Sequence, residues 1–145
     1  MNRWQYGKLV KEKSPGTKWY KNLPKAFVIG GGICLVGEVI RQLYMMTDLT
    51  LDQVSTMTSI TMIFIGSILT GLGLYDNIAR HGGAGTAVPI TGFANAVVSP
   101  AIEYKSEGIV LGIAAKMFII AGPVLVFGTL SSIVVGIIFF VMKMI

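Results

Sequence analysis

Met57-Thr-Ser-Ile-Thr-Met-Ile-Phe-Ile-Gly66-Ser-Ile-Leu-Thr-Gly-Leu-Gly-Leu-Tyr75 is a run of 19 residues without one Asp, Glu, Lys or Arg. A helix of about 20 apolar residues crosses the roughly 30 Å hydrocarbon core of a bilayer. The run therefore predicts a transmembrane helix, and the chain around it fits that solvent. The chain has 145 residues, 53% hydrophobic and 13% charged, with a mean hydropathy of +0.71. Soluble domains carry about 25% charged residues, so a water-soluble enzyme, a nucleic-acid module and a disordered tail all fit poorly. The length allows three to five spans and no separate catalytic domain.

Before the 57–75 run, Ala26–Met46 predicts another span. Its first 12 residues are uncharged, and Glu38 and Arg41 then fall three apart on one helix face, where they can pair. Snorkelling of Arg41 and Gln42 to the headgroups is the plainer account of that pair, and a functional intramembrane pair is the other. The connecting loop carries Asp48 and Asp52 and no base. After the run, His81–Ile102 has 22 residues without Asp, Glu, Lys or Arg, but Gly82, Gly83, Gly85, Pro89, Gly92 and Pro100 interrupt it. Such a sequence predicts a broken or re-entrant helix. Non-helical backbone survives at membrane depth only where protein buries it or it lines a water-filled cavity. Met117–Met142 gives 26 more uncharged residues, about 39 Å of straight helix, with Gly122-Pro123 expected to bend it or to start a new helix. The fold class expected is an all-α polytopic membrane protein, with about three full spans plus the broken segment.

Charge is unevenly placed. Residues 1–25 hold seven bases (Arg3, Lys8, Lys11, Lys13, Lys18, Lys21, Lys25) against one acid, Glu12; the other 120 residues hold five bases and six acids. A basic arm could bind nucleic acid. Next to an apolar span, however, the positive-inside rule accounts for it better and places the N-terminus in the cytoplasm. Trp4, Tyr6, Trp19 and Tyr20 suit an anionic headgroup layer. Residues 1–25 are thus expected as a cytoplasmic or interfacial segment and 26–145 as the membrane domain, with the lipid bilayer as partner and no nucleic acid. The basic region is too long for a signal peptide.

Few residues can carry chemistry. His81-Gly-Gly-Ala-Gly85-Thr86 lacks the Gly-Lys-Ser/Thr ending of a phosphate loop. One His and one Cys, 47 positions apart, make no metal cluster and no nucleophile–base pair, so no enzyme, no cofactor and no metal site are expected. Asp76 and Arg80, spaced i, i+4, either close the span with an ion pair or form a charged mouth beside the glycine-rich segment. Glu103 and Glu107 are expected on one helix face with Lys105 pointing elsewhere. They suit a solvated surface helix better than calcium, which needs six or more oxygens. Lys116, flanked by Ile113-Ala-Ala and Met117-Phe-Ile-Ile, must snorkel, pair or face water, and a place in an anion pathway is the functional alternative.

Thr70-Gly-Leu-Gly-Leu-Tyr-Asp76, Gly83-Ala-Gly85, Val88-Pro-Ile-Thr-Gly-Phe-Ala-Asn95 and Glu103-Tyr-Lys-Ser-Glu-Gly108, with the Lys25-Ala-Phe-Val-Ile-Gly30 start of span one and Lys116-Met-Phe, together resemble the SpoVAC/SpoVAEB family of sporulation membrane proteins. The resemblance covers nearly the whole chain. The basic arm and the Glu103–Gly108 run are similar to the SpoVAC branch rather than to the shorter SpoVAE one. His81-Gly82 and Pro100 depart from the family pattern. The resemblance implies an inner-membrane protein of the developing spore. It implies that the protein acts as an oligomer with other SpoVA proteins to move dipicolinic acid, largely as its calcium chelate, through a channel that opens under membrane tension. A non-conducting scaffold is the alternative. A pathway for a dianion or its chelate should be polar without strong charge of one sign. The candidate pathway residues are Asp76, Arg80, Gly83, Gly85, Thr86, Pro89, Thr91, Asn95, Glu103, Lys105, Glu107 and Lys116. Thr86, Thr91, Asn95 and Ser99 would equally serve as interhelical hydrogen-bonding residues.

Overall fold

The computed structural model describes residues 7, 10 and 19–144. Arg3, Trp4, Tyr6, Lys8, Lys11, Glu12, Lys13 and Lys18 of the basic arm lie outside the described residues. Among those described there is helix and turn and no strand. The protein is all-α, with three helical stretches long and apolar enough to cross a membrane.

Helix α1 spans Trp19–Met45. It begins seven residues before the expected Ala26, so Lys21 and Lys25 of the basic segment form its first two turns. Pro24 lies inside it; the missing N–H leaves the Tyr20 carbonyl unpaired close to the helix end, where headgroups and water can satisfy it. Near the far end Arg41 Nη1 lies 3.0 Å from Glu38 Oε1 and Gln42 Nε2 donates to the same oxygen at 2.7 Å, so the expected pair forms. After an exposed loop, α2 spans Leu51–Gly71. A reciprocal capping box starts it: Thr50 Oγ1 accepts from the Gln53 N–H, and Gln53 Oε1 accepts from the Thr50 N–H. The hydroxyls of Ser55, Thr56, Thr58, Ser59, Thr61 and Ser67 each donate to the carbonyl four residues back. That is how a Ser/Thr-rich helix enters hydrocarbon with its polar groups paired.

The glycine-rich stretch is broken, as its sequence predicts. Helix α3 spans Tyr75–Gly82, α4 spans Ala84–Ala87 and α5 spans Ile90–Glu103. The breaks fall at Gly83 (φ +50) and at Val88-Pro89. Gly85, Gly92 and Pro100, also expected as interruptions, lie within helices. Pro100 costs one hydrogen bond near the end of α5, and the helix continues for three more residues.

The direction of α5 decides the topology. Gly66 packs against Thr91, and Thr70 bonds Asn95. Residue numbers rise together along both helices, so α5 runs parallel to α2. The contact between them is the most extensive in the chain. Helix α2 therefore leaves the membrane, α3 and α4 climb back beside the first half of α1, and α5 returns to the side that α2 reached. Residues 72–103 are a re-entrant hairpin.

A 3₁₀ turn, Tyr104–Glu107, Gly108 (φ +95) and a π-helical turn, Ile109–Ala114, then reverse the chain into α6, Ala115–Met144, which packs back on α5. Helix α6 runs through Pro123 without a second helix starting there, which corrects one of the two expectations for Gly122-Pro123. Its 30 residues, about 45 Å, exceed the core thickness, and tilt takes up such an excess. No residue of α6 is buried, and large apolar side chains such as Phe64, Phe118, Phe127 and Phe139 face outward. Such a surface is untenable in water and ordinary against lipid. Three crossings and a hairpin put Trp19 and Met144, the ends of the first and last spanning helices, on opposite sides. A periplasmic-type enzyme reporter fused after Ile145 is expected to be active where the same reporter at the N-terminus is silent; equal signals from both would mean that 72–103 crosses.

Candidate functional site

Tyr75 organises the hairpin. It opens α3, is buried, and donates its hydroxyl to the Thr86 carbonyl at 2.8 Å; Thr91 Oγ1 lies 3.0 Å from the same hydroxyl and is left to donate to it. Thr86 Oγ1 in turn donates to the Gly83 carbonyl at 2.8 Å. Breaking the helix at Gly83 and at Pro89 frees backbone groups at membrane depth, where each unpaired group costs several kcal/mol in hydrocarbon. Two of these carbonyls, Gly83 and Thr86, find hydroxyl donors within the hairpin, and no buried side-chain polar atom among the described residues lacks a partner.

Small residues let the hairpin dock. A side chain at Gly85 would meet the Ala26 carbonyl of α1, one at Gly30 would approach the Gly85 carbonyl oxygen to 2.8 Å, and one at Gly92 would meet the Thr86 carbonyl. Close backbone approach of this kind is what holds helices together in lipid. Gly83 differs: its surroundings are open, and its positive φ with ψ −123° is what calls for glycine.

The candidate pathway residues separate into three places. Thr86 and Thr91 are buried in the hairpin's interior, Asn95 is half-buried against Thr70, and Gly85 is held against α1. Asp76, Arg80 and Gly83 are exposed and Pro89 is half-exposed on its outer side. Asp76 and Arg80 make no ion pair with each other, and Arg80 lies instead on a groove of about 430 Å³ between α1 and the α3–α4 break. His81 Nδ1 lies 2.9 Å from the Asn77 carbonyl, a helix-end contact. Glu103, Lys105 and Glu107 lie exposed at the far junction. They do not form the single helical face expected for the two acids: α5 ends at Glu103 and a 3₁₀ turn follows, which rotates Glu107 away. Lys116 is paired, with Nζ 3.8 Å from the centre of the Tyr104 ring, a cation–π contact that clamps the base of α6 to the end of α5.

Sequence reasoning missed Tyr75 as the centre, together with Gly30, which meets Gly85, and Gly66, which meets Thr91. The signal available was an aromatic hydroxyl two residues after a Gly-x-Gly, directly before the broken stretch.

The model of the SpoVAC/SpoVAEB sporulation membrane protein family matches residues 22–138. The chain is 45% identical over 136 residues to stage V sporulation protein AC of Bacillus subtilis (strain 168), a match that takes in 93% of this chain and 91% of that protein. No solved structure matches it.

Proposed function

This chain belongs to the SpoVAC/SpoVAEB family of sporulation membrane proteins, and from that premise we propose that it is the channel component through which dipicolinic acid, chiefly as its calcium chelate, crosses the spore inner membrane. The re-entrant hairpin carries this reading. Half-membrane segments with broken backbone are where channels and transporters build their sites. The Thr- and Asn-bearing hairpin is polar and nearly uncharged, which suits a solute whose charge calcium largely cancels. The N-terminus and the Arg80 groove face the cytoplasmic, spore-core side, by the charge of the first 25 residues. The protein is not an enzyme in this reading: its work is passage and gating. Membrane tension has a lever in α6, which is joined to the rest through α5 and the π-helical turn.

Liposomes loaded with calcium dipicolinate test the proposal. Reconstituted protein is expected to release solute as osmotic tension rises. Release no faster than from empty liposomes at any tension would remove the autonomous channel. A second reading, a scaffold subunit within an oligomer of SpoVA proteins, has its own support in α6, whose residues from Pro123 to Met144 are exposed on every face among the described residues. Cysteine scanning of Thr86–Ser99 with a water-soluble thiol reagent separates the two: a periodic labelled face marks a pore, uniform protection a scaffold. Lys116→Met is expected to lower dipicolinate uptake by sporulating cells further than it lowers protein abundance, and Lys116→Arg, which keeps a cation over Tyr104, to restore it. Equal falls in both quantities would make Lys116 a clamp alone.

A further inference from the structure

The groove between the start of α1 and the α3–α4 break has an amphiphilic build that the passage of solute does not use. Trp19, Asn22, Leu23 and Ala26 line it from α1, Arg80 and His81 from α3, and the backbone of residues 82–84 closes it. Its wall is mainly apolar, and its charged group is a guanidinium with no carboxylate within 4.0 Å among the described residues. Trp19 is the first residue of α1 and largely exposed, the setting of an interfacial anchor at headgroup level. Lys21 and Lys25 on the same two turns raise the positive charge of this layer. His81 is held by Asn77 through Nδ1.

We propose that this groove is a binding site for one anionic phospholipid of the adjoining leaflet. The phosphate lies against Arg80 and the Asn22 amide, and the glycerol and upper acyl chain lie along Leu23 and Ala26. Charge complementarity selects an anion, and the apolar wall opening at headgroup depth selects one that carries a chain. A free dianion would find a single guanidinium and a wall that offers it nothing. A lipid seated there bridges α1 to the break at Gly83 and so holds the hairpin against the first span.

Trp19 reports occupancy. The chain has two tryptophans, so the full-length protein with Trp4→Phe carries Trp19 alone. In mixed vesicles, brominated phosphatidylglycerol is expected to quench Trp19 at a roughly fivefold lower mole fraction than brominated phosphatidylcholine, the order expected of one basic group against an anionic headgroup. Arg80→Gln should erase that difference and Arg80→Lys keep most of it, whereas Arg41→Gln, at the other end of α1, should leave it intact. Equal quenching by the two lipids overturns the site. So does relief of the phosphatidylglycerol quenching by millimolar inorganic phosphate, which would mark a small-anion site. Should Arg80→Gln fail to fold, the comparison of the two lipids with Arg80 present decides alone, and neither readout depends on dipicolinate transport.

Discussion

Gly85→Val is expected to eliminate the folded protein from membranes. A Cβ at this position overlaps the carbonyl of Ala26, with the Ala26 carbonyl carbon at 2.7 Å and Cα at 2.9 Å. These are backbone atoms of a spanning helix, so no rotamer change relieves the clash. The hairpin has to leave α1, and the Gly30 contact goes with it. Overpacking in cores typically costs about 1–3 kcal/mol and occasionally more. A two-sided backbone collision belongs at the upper end, against a total stability of about 5–15 kcal/mol. Gly83→Val is the informative comparison. Nothing lies within 4 Å of its Cβ position, so its cost is that of holding a branched residue at φ +50, about 1–3 kcal/mol. It should lower the thermal midpoint of the purified protein while leaving the α1 contact intact. Gly31→Val, exposed and with nothing nearby, should match the parent. A Gly85→Val protein with the parent's midpoint and abundance would show that the hairpin is not packed on α1 as described.

The second large effect is expected at Tyr75. Tyr75→Phe keeps the ring and removes one oxygen, leaving the Thr86 carbonyl and the Thr91 hydroxyl buried without that partner. Orphaning buried polar groups costs about 1–3 kcal/mol each. Unfolding of the purified protein by denaturing detergent should therefore shift to clearly lower detergent fraction. The combination of Tyr75→Phe with Thr91→Val should recover part of the loss, because it removes the orphaned hydroxyl along with its partner. A double variant no better than the single one would place Thr91 outside this network. Tyr75→Ala adds a cavity, of the class that costs about 3–5 kcal/mol for aromatic residues, and is expected to behave like Gly85→Val.

The spans were legible because bilayer crossing is a matter of length and charge, which sequence displays directly: residues 57–71 of the 57–75 run and the whole of the long C-terminal run fall within spanning helices, while 72–75 lie beyond the helix end at Gly71. The break at 82–90 was legible because Gly and Pro act locally on the backbone. What sequence could not display is direction. Whether α5 crosses or returns depends on which residues of α2 it meets, Gly66 against Thr91 and Thr70 against Asn95, and pairings 25 positions apart leave no periodic trace. The same limit applied to the charged residues. Spacing allowed Asp76 and Arg80 to pair, but tertiary placement turned Arg80 toward the groove. Lys116 found an aromatic ring 12 positions away rather than an acid. Glu103 and Glu107 were assigned one face on the assumption of continuous α-helix, and a tighter turn intervened.

The notch on α1 where the hairpin docks has a consequence in time. Gly30 and Ala26 receive residue 85, which is synthesised 55 positions after Gly30. At translation rates of about 5–20 residues per second, roughly 3–11 s separate the two. By the end of that interval α1, to Met45, and α2, to Gly71, have both been synthesised, yet the notch has not met residue 85. A newborn first span thus presents a bare glycine step to whatever lies beside it in the membrane, and a neighbouring helix with small residues can settle there first. The order of emergence from the ribosome, and not only the final packing, therefore decides whether the hairpin closes on its own first span or arrives to find the berth taken.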